Sequence, residues 1–86
     1  MNKQNVLYSE LELKILSHIK YGSKINTLEL VDKIYKENQS INARITIVVA
    51  IKRIIEKSKK NNEEWKICKS YQNGNNPIKY WREKRK

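Results

Sequence analysis

Few side chains in this sequence are of the kinds that catalyse reactions or hold metal ions. There is one histidine, His18, one cysteine, Cys68, and one aspartate, Asp32. Glu64 and Lys66 match half of a metal-dependent nuclease site, but that chemistry needs a second carboxylate on a neighbouring strand, and Asp32 falls in a helical pattern. One histidine and one cysteine cannot form a Cys/His metal cluster, and the sequence has no glycine-rich phosphate loop. We therefore predict no catalytic residues, no metal site and no cofactor.

The charge of the chain is more informative. Nineteen lysines and arginines stand against nine acidic residues, which gives a formal net charge of +10. Such an excess concentrates phosphate polymers near the surface. Lysine outnumbers arginine, and isoleucine and asparagine are frequent, so coding bias in an A+T-rich genome could also supply part of the excess. The charge predicts nucleic acid as a partner and leaves the coding explanation open.

The length of 86 residues fits one domain, with an expected core at about 9–81 and a basic tail at 82–86. No apolar run reaches the roughly 18 residues of a membrane span, and the first residues precede no signal-type hydrophobic block. A single cysteine is compatible with a reducing compartment. We expect a protein of the cytoplasm or host-cell interior, associated with the nucleoid, with no membrane partner.

Two helices are predicted in the first half of the chain. Ser9–Glu12 is a capping box, in which serine and glutamate satisfy each other's backbone amides, and this helix is expected to end at Gly22. Lys24–Ile25 could form a brief strand. A second helix, capped by Asn26 or Thr27, is expected to extend to Glu37 with a broad apolar stripe, whose members are Leu28, Leu30, Val31, Ile34 and Tyr35.

The third element is ambiguous, because the β-branched run 45–49 has strand propensity. Its apolar residues nevertheless recur at about 100° per residue over some 18 residues, so we predict a helix from Ser40 or Asn42 to about Lys59. The core face consists of Ala43, Ile47, Ala50, Ile51, Ile54 and Ile55. The opposite face carries Asn42, Ile45, Thr46, Val49, Lys52, Arg53, Glu56 and Lys60. Ile45 and Val49 are unexpected there: either they touch a partner or they fill the rim of the core.

The last third of the chain is predicted to form a basic β-hairpin. Residues 65–71 alternate in the manner of a half-buried strand, with Trp65, Ile67 and Tyr71 facing inward. Asn73 and Gly74 make a strong turn dipeptide, and 78–81 is the returning strand. Arg82–Lys86 is expected to be frayed in the absence of a ligand.

The order helix, short extended piece, helix, helix, two-stranded hairpin resembles the winged helix-turn-helix DNA-binding domains over about Ser9–Trp81. The resemblance implies an α+β, mainly helical fold whose third helix enters the major groove of double-stranded DNA, while the hairpin, or wing, contacts the backbone or minor groove. It implies a transcriptional regulator. Residues expected to face bases or adjoining phosphates are Asn42, Thr46, Val49 and Arg53. Phosphate contacts are expected from Lys52 and Lys60, and from Arg44, which should project toward the core side and reach the backbone from the helix entrance. The wing offers Lys69, Asn73, Asn75, Asn76 and Lys79.

Two alternative functions stay open, and so does the possibility of a homodimer. Tyr71, Tyr80 and Trp81 alternate with lysines and could stack on unpaired bases of single-stranded DNA or RNA. The chain could instead be a protein-interaction module whose charge is incidental. Winged-helix domains often bind paired half-sites as homodimers, and residues 6–8, before the first cap, are candidates for a dimer surface.

Overall fold

The computed structural model describes residues 6–36, 42–70 and 78–85. The described elements are α1 (Glu10–His18), β1 (Ile25–Asn26), α2 (Thr27–Tyr35), α3 (Ala43–Lys60), β2 (Trp65–Lys69) and β3 (Lys79–Lys84). The strands form one antiparallel sheet in the order β1-β3-β2. These elements confirm the predicted fold class, which is α+β and mainly helical.

Local capping explains where α1 and α2 begin. The Ser9 hydroxyl accepts from the backbone N–H of Glu12 at 3.2 Å, and the Glu12 carboxylate accepts from the N–H of Ser9 at 2.7 Å. Asn26 and Glu29 repeat this reciprocal pair at the start of α2. The capping box predicted for α1 is therefore confirmed, and Asn26 rather than Thr27 is the cap of α2.

The predicted end of α1 at Gly22 was wrong. The helix ends at His18, and Gly22 lies at φ 71° in a tight turn that pairs Lys20 with Ser23. The carbonyls of Leu16 and Ile19 accept hydrogen bonds from the guanidinium of Arg82, at 2.6 and 2.7 Å. The Leu16 carbonyl also accepts locally from the N–H of Ile19 at 3.3 Å, so Arg82 adds a second donor there and gives the Ile19 carbonyl a partner from β3.

The second helix differs from its prediction in two ways. It ends at Tyr35, and Lys36 follows at φ 50°, whereas Glu37 lies outside the described residues. Leu28, assigned to the apolar stripe, is 54 % exposed. Thr27 is buried instead, and its hydrogen bond to Tyr80 lets a polar residue occupy the inward position at the start of the helix.

The core lies between the three helices and one face of the sheet. Isoleucines and one leucine fill its centre with almost no exposed surface: Ile15, Ile19, Leu30, Ile47, Ile51 and Ile54. The helix predicted over the β-branched run is confirmed, and the predicted core residues of α3 are buried, with Ile55 half-buried. Within the described ranges, no helix combines the length and the apolar composition needed to cross a membrane.

The predicted hairpin strands pair as expected, with Cys68 opposite Trp81 and Ile67 opposite Arg82. Trp65 and Ile67 pack against the core as predicted. The turn at Asn73-Gly74 lies outside the described residues, as does Tyr71. The prediction of a frayed tail was wrong for residues 82–84, because β3 continues to Lys84.

The segment before α1 is attached to the far end of α3. Val6 exchanges two hydrogen bonds with the side chain of Asn61. Tyr8 donates its hydroxyl to Glu63 at 2.9 Å, and its ring lies 6.3 Å from that of Trp65. Of the three residues considered for a dimer surface, Val6 and Tyr8 are thus engaged within the chain, and Leu7 is 84 % exposed.

Candidate nucleic-acid interface

The long helix α3 turns one face to the core and the other to solvent. Its rotation is fixed by Ile47, Ile51 and Ile54, which recur every three or four residues and are buried. The opposite side is what we call the outer face of α3. Its members are the exposed residues of 42–60: Asn42, Arg44, Ile45, Thr46, Val49, Lys52, Arg53, Glu56, Lys59 and Lys60. Every site residue predicted on this helix is among them.

Arg44 lies elsewhere than predicted. It was expected to project toward the core side, but it is exposed and borders a shallow groove of about 490 Å³ together with Ile45, Val48 and Lys52. At the edge of the core face, a long cationic side chain extends into water and keeps its guanidinium hydrated. Arg44 is therefore part of the outer face, on the flank opposite Arg53.

The centre of the outer face is apolar. Ile45 is 63 % exposed and Val49, one turn later, is 40 % exposed. Ile45, Val49 and Arg53 also border the start of α1, together with Thr46, in a groove of about 280 Å³. Of the two readings that the sequence left open for Ile45 and Val49, rim packing does not fit Ile45, which keeps most of its surface in solvent.

The polar residues at the start of α3 differ in what they can still bind. Thr46 donates its hydroxyl proton to the backbone oxygen of Asn42 at 2.9 Å, so the hydroxyl can only accept from a ligand. Asn42 has helical backbone angles, and its side chain makes no cap hydrogen bond. Its amide, with both donors and an acceptor, is the polar group best placed at this end of the face.

The outer face is strongly cationic. Five of its residues are basic, namely Arg44, Lys52, Arg53, Lys59 and Lys60, and Glu56 is its one acidic member. Lys57 stands at the margin of the face, but its ammonium is 2.6 Å from the carboxylate of Glu12, which is buried. Burial disfavours the charged form of Glu12, but the hydrogen bonds from Lys57 and from the Ser9 N–H outweigh it and lower the pKa of the carboxyl. The Lys57 charge is therefore neutralised internally and ties α1 to α3.

Of the residues predicted to contact DNA from the wing, Lys69 and Lys79 are described. Both side chains are exposed where β2 ends and β3 begins, and Ser70 and Lys79 exchange hydrogen bonds of 2.9 and 3.0 Å there. Asn73, Asn75 and Asn76, also predicted to contact DNA, lie outside the described residues. The structure thus places the cations of α3 and those of the wing on separate elements that follow each other in the chain.

Two of the three aromatics considered for stacking, Tyr80 and Trp81, offer little stacking surface, and Tyr71 lies outside the described residues. Tyr80 is 3 % exposed and belongs to the core. Trp81 is half-buried on the outer side of the sheet, where Lys24 lies 4.8 Å above its ring and Glu83 accepts from its indole N–H at 2.7 Å. One ring face is therefore covered, and a carboxylate at its edge disfavours phosphate.

Sequence reasoning missed the role of Arg82. Besides the carbonyls at the end of α1, its guanidinium lies 5.0 Å from the ring of Trp65 and 5.7 Å from that of Tyr21. The sequence carries no signal for this role, because residues 82–84 are all charged and show no apolar alternation that would extend the returning strand.

The titratable residues considered for chemistry, Cys68, His18 and Asp32, lie in β2, α1 and α2. Burial and the neighbouring Glu83 raise the pKa of the Cys68 thiol, which disfavours a reactive thiolate. Burial, Lys33 and Lys20 lower the pKa of His18, and Asp32 lies in α2 as predicted. In the part of the chain that the structure describes, no three histidine, cysteine or acidic residues are grouped to hold a metal ion.

Comparisons of the chain with models of protein families, with curated proteins and with solved structures gave no match.

Proposed function

We propose that this chain is a winged-helix domain that binds double-stranded DNA, with α3 in the major groove and β2–β3 as the wing, and that it acts as a transcriptional regulator. The observation that carries the proposal is the cationic outer face on a helix whose other side is locked in the core. The element order and the pairing of β1 with β3 support the resemblance to that family.

The dimensions suit this mode of binding. An α-helix with its side chains is about 10–12 Å across, and the major groove of B-DNA is about 12 Å wide. Arg44 and Lys52 on one flank and Arg53 on the other would then lie near the phosphates that border the groove. Arg53 could also reach guanine, and Asn42 adenine, since those side chains match the hydrogen-bonding edges of these bases.

Salt dependence and strand preference test the proposal. Neutralising about 5–8 phosphates predicts a steep, linear fall of log affinity with log salt concentration. Fluorescence anisotropy with labelled duplex DNA, single-stranded DNA and duplex RNA should show tightest binding to duplex DNA. A preference for single strands would instead favour the alternative of base stacking on the sheet, and retention of none of the three would favour a protein-interaction module.

A matched pair of triple variants locates the binding surface. Arg44→Ala/Lys52→Ala/Arg53→Ala removes three cations from the outer face. Lys14→Ala/Lys33→Ala/Lys36→Ala removes three exposed cations from α1, α2 and the residue after it. Both variants have the same net charge, so the first should lose duplex affinity at least tenfold more than the second. Equal losses would mean that only net charge attracts DNA, and the proposal would be wrong.

A further inference from the structure

The two most exposed apolar side chains of α3 lie at the positions from which a DNA-binding helix contacts bases. Ile45 and Val49 occupy neighbouring turns at the centre of the outer face, with 63 % and 40 % of their surfaces exposed. Arg44 and Lys52 flank them on one side and Arg53 on the other. The result is an apolar stripe between two cationic margins.

Helix stability does not explain these two residues. β-Branched side chains lose rotamer freedom in a helix and rank below alanine, leucine or lysine in helix propensity. Their exposure also means that they add little to the core. At both positions a polar or unbranched residue would suit the isolated domain better, so the stripe is better explained by a bound partner.

Charge complementarity indicates which partner. A second copy of this chain on the same face would bring Arg44, Lys52 and Arg53 against their own counterparts, and like charges repel. A duplex presents the opposite sign along both edges of its major groove, and the floor of that groove carries one apolar group, the C5 methyl of thymine. An apolar stripe between cationic margins complements a thymine methyl between two phosphate backbones.

We propose that Ile45 and Val49 read thymine through its C5 methyl group, and that the protein prefers duplexes with two closely spaced thymines where α3 enters the groove. The proposal rests on the proposed function and specifies its sequence preference. Four residues of helix advance about 6 Å, which is close to two base-pair steps of about 3.4 Å each. The two side chains therefore fit thymines in adjacent or next-adjacent base pairs.

Deoxyuridine substitution tests this directly, because it removes the methyl group and leaves hydrogen-bonding groups and phosphates unchanged. A duplex is first selected from a random pool with the unmodified protein. Its thymines are then replaced one at a time by deoxyuridine, and affinities are measured by anisotropy at several salt concentrations. Each contacted thymine should cost about fourfold in affinity, with the same salt dependence, since no phosphate contact changes.

Protein variants assign the effect to the stripe. With Ile45→Ala/Val49→Ala, thymine and deoxyuridine duplexes should bind equally well. Leu28→Ala is the matched control, since Leu28 is a leucine of α2 that is 54 % exposed, and this variant should keep the fourfold sensitivity. Both variants change exposed residues, and their circular dichroism and denaturation midpoints serve as the check on folding.

The outcomes separate this inference from the function on which it rests. If the unmodified protein binds duplex DNA but does not distinguish thymine from deoxyuridine, methyl readout is wrong and duplex binding stands. If the unmodified protein binds no duplex at all, both methyl readout and the proposed DNA-binding function are wrong. If sedimentation shows a dimer that Ile45→Ala/Val49→Ala converts to monomer, the stripe is an interface between copies and the inference is likewise overturned.

Discussion

Replacing Arg82 by alanine should destabilise the domain more than any other change of an arginine or lysine in the described strands. Its guanidinium donates to two carbonyls at the end of α1, those of Leu16 and Ile19. Its backbone N–H also donates to Lys20 at 3.0 Å, which the substitution preserves. The substitution therefore removes the side-chain link between the end of α1 and β3 and keeps the backbone link to Lys20.

The size of the effect follows from these contacts. A hydrogen bond to a charged group contributes roughly 1.5–3 kcal/mol, and a partly exposed cation over an aromatic ring adds about 0.5–1 kcal/mol. Because Arg82 is only half-buried, we take the low end of the hydrogen-bond range for each of the two bonds and leave out the smaller ring contribution, which gives an expected loss of about 3 kcal/mol in the free energy of unfolding. For a domain of this size, that loss lowers Tm by roughly 12–24 °C.

Urea denaturation monitored by tryptophan fluorescence measures this loss, since Trp65 lies beside the guanidinium. Lys84→Ala removes the same charge from an exposed position and should change stability by less than about 0.5 kcal/mol. Arg82→Lys keeps the charge but not the two-pronged donor geometry, so most of the loss should remain. An Arg82→Ala variant as stable as Lys84→Ala would refute the reasoning.

Three further predictions concern titration. The folded-state pKa of Glu12 is lowered below the ordinary value of 4.5. The ionised carboxylate therefore stabilises the fold above that pH, and this stabilisation is lost as the pH falls through the folded-state pKa. Glu12→Gln should flatten the acid limb of a plot of denaturation midpoint against pH. Burial and Glu63 raise the pKa of Tyr8 from 10.0 to about 12, so stability should fall from about pH 10 upward, and Tyr8→Phe should weaken that fall. The raised pKa of Cys68 predicts that iodoacetamide alkylates the folded protein more slowly at pH 8 than the urea-unfolded chain, and equal rates would contradict it.

The parts of this fold that depend on local pattern could be predicted from sequence. The capping box at Ser9, the hairpin strands and the long third helix all follow from residues within a few positions of each other. The β-branched run at 45–49 did not become a strand, because its isoleucines and alanines keep the helical period on both sides of it. Periodicity over many residues outweighs propensity over five.

The parts that depend on distant contacts could not be predicted. The end of α1 is hydrogen-bonded to Arg82, whose partners lie 63 and 66 positions away in the chain. No local signal marks such a donor, so Gly22 was taken for the stop. The exposure of Leu28 has the same origin, because Tyr80 on the last strand holds Thr27 in the inward position. The outer-face residues of α3 other than Arg44, by contrast, were predictable, since the core face of a regular helix fixes its opposite side.

The same distant contacts decide which charges remain for a ligand. Glu12 neutralises Lys57, and the carbonyls of α1 together with two aromatic rings surround Arg82. These two cations thus serve to join α1 to α3 and to the sheet. Arg44, Lys52 and Arg53 stay exposed on the outer face, which those contacts hold in a fixed orientation. Because a rigid surface loses less conformational entropy on binding, the two internal charges favour the proposed binding of DNA by the other three.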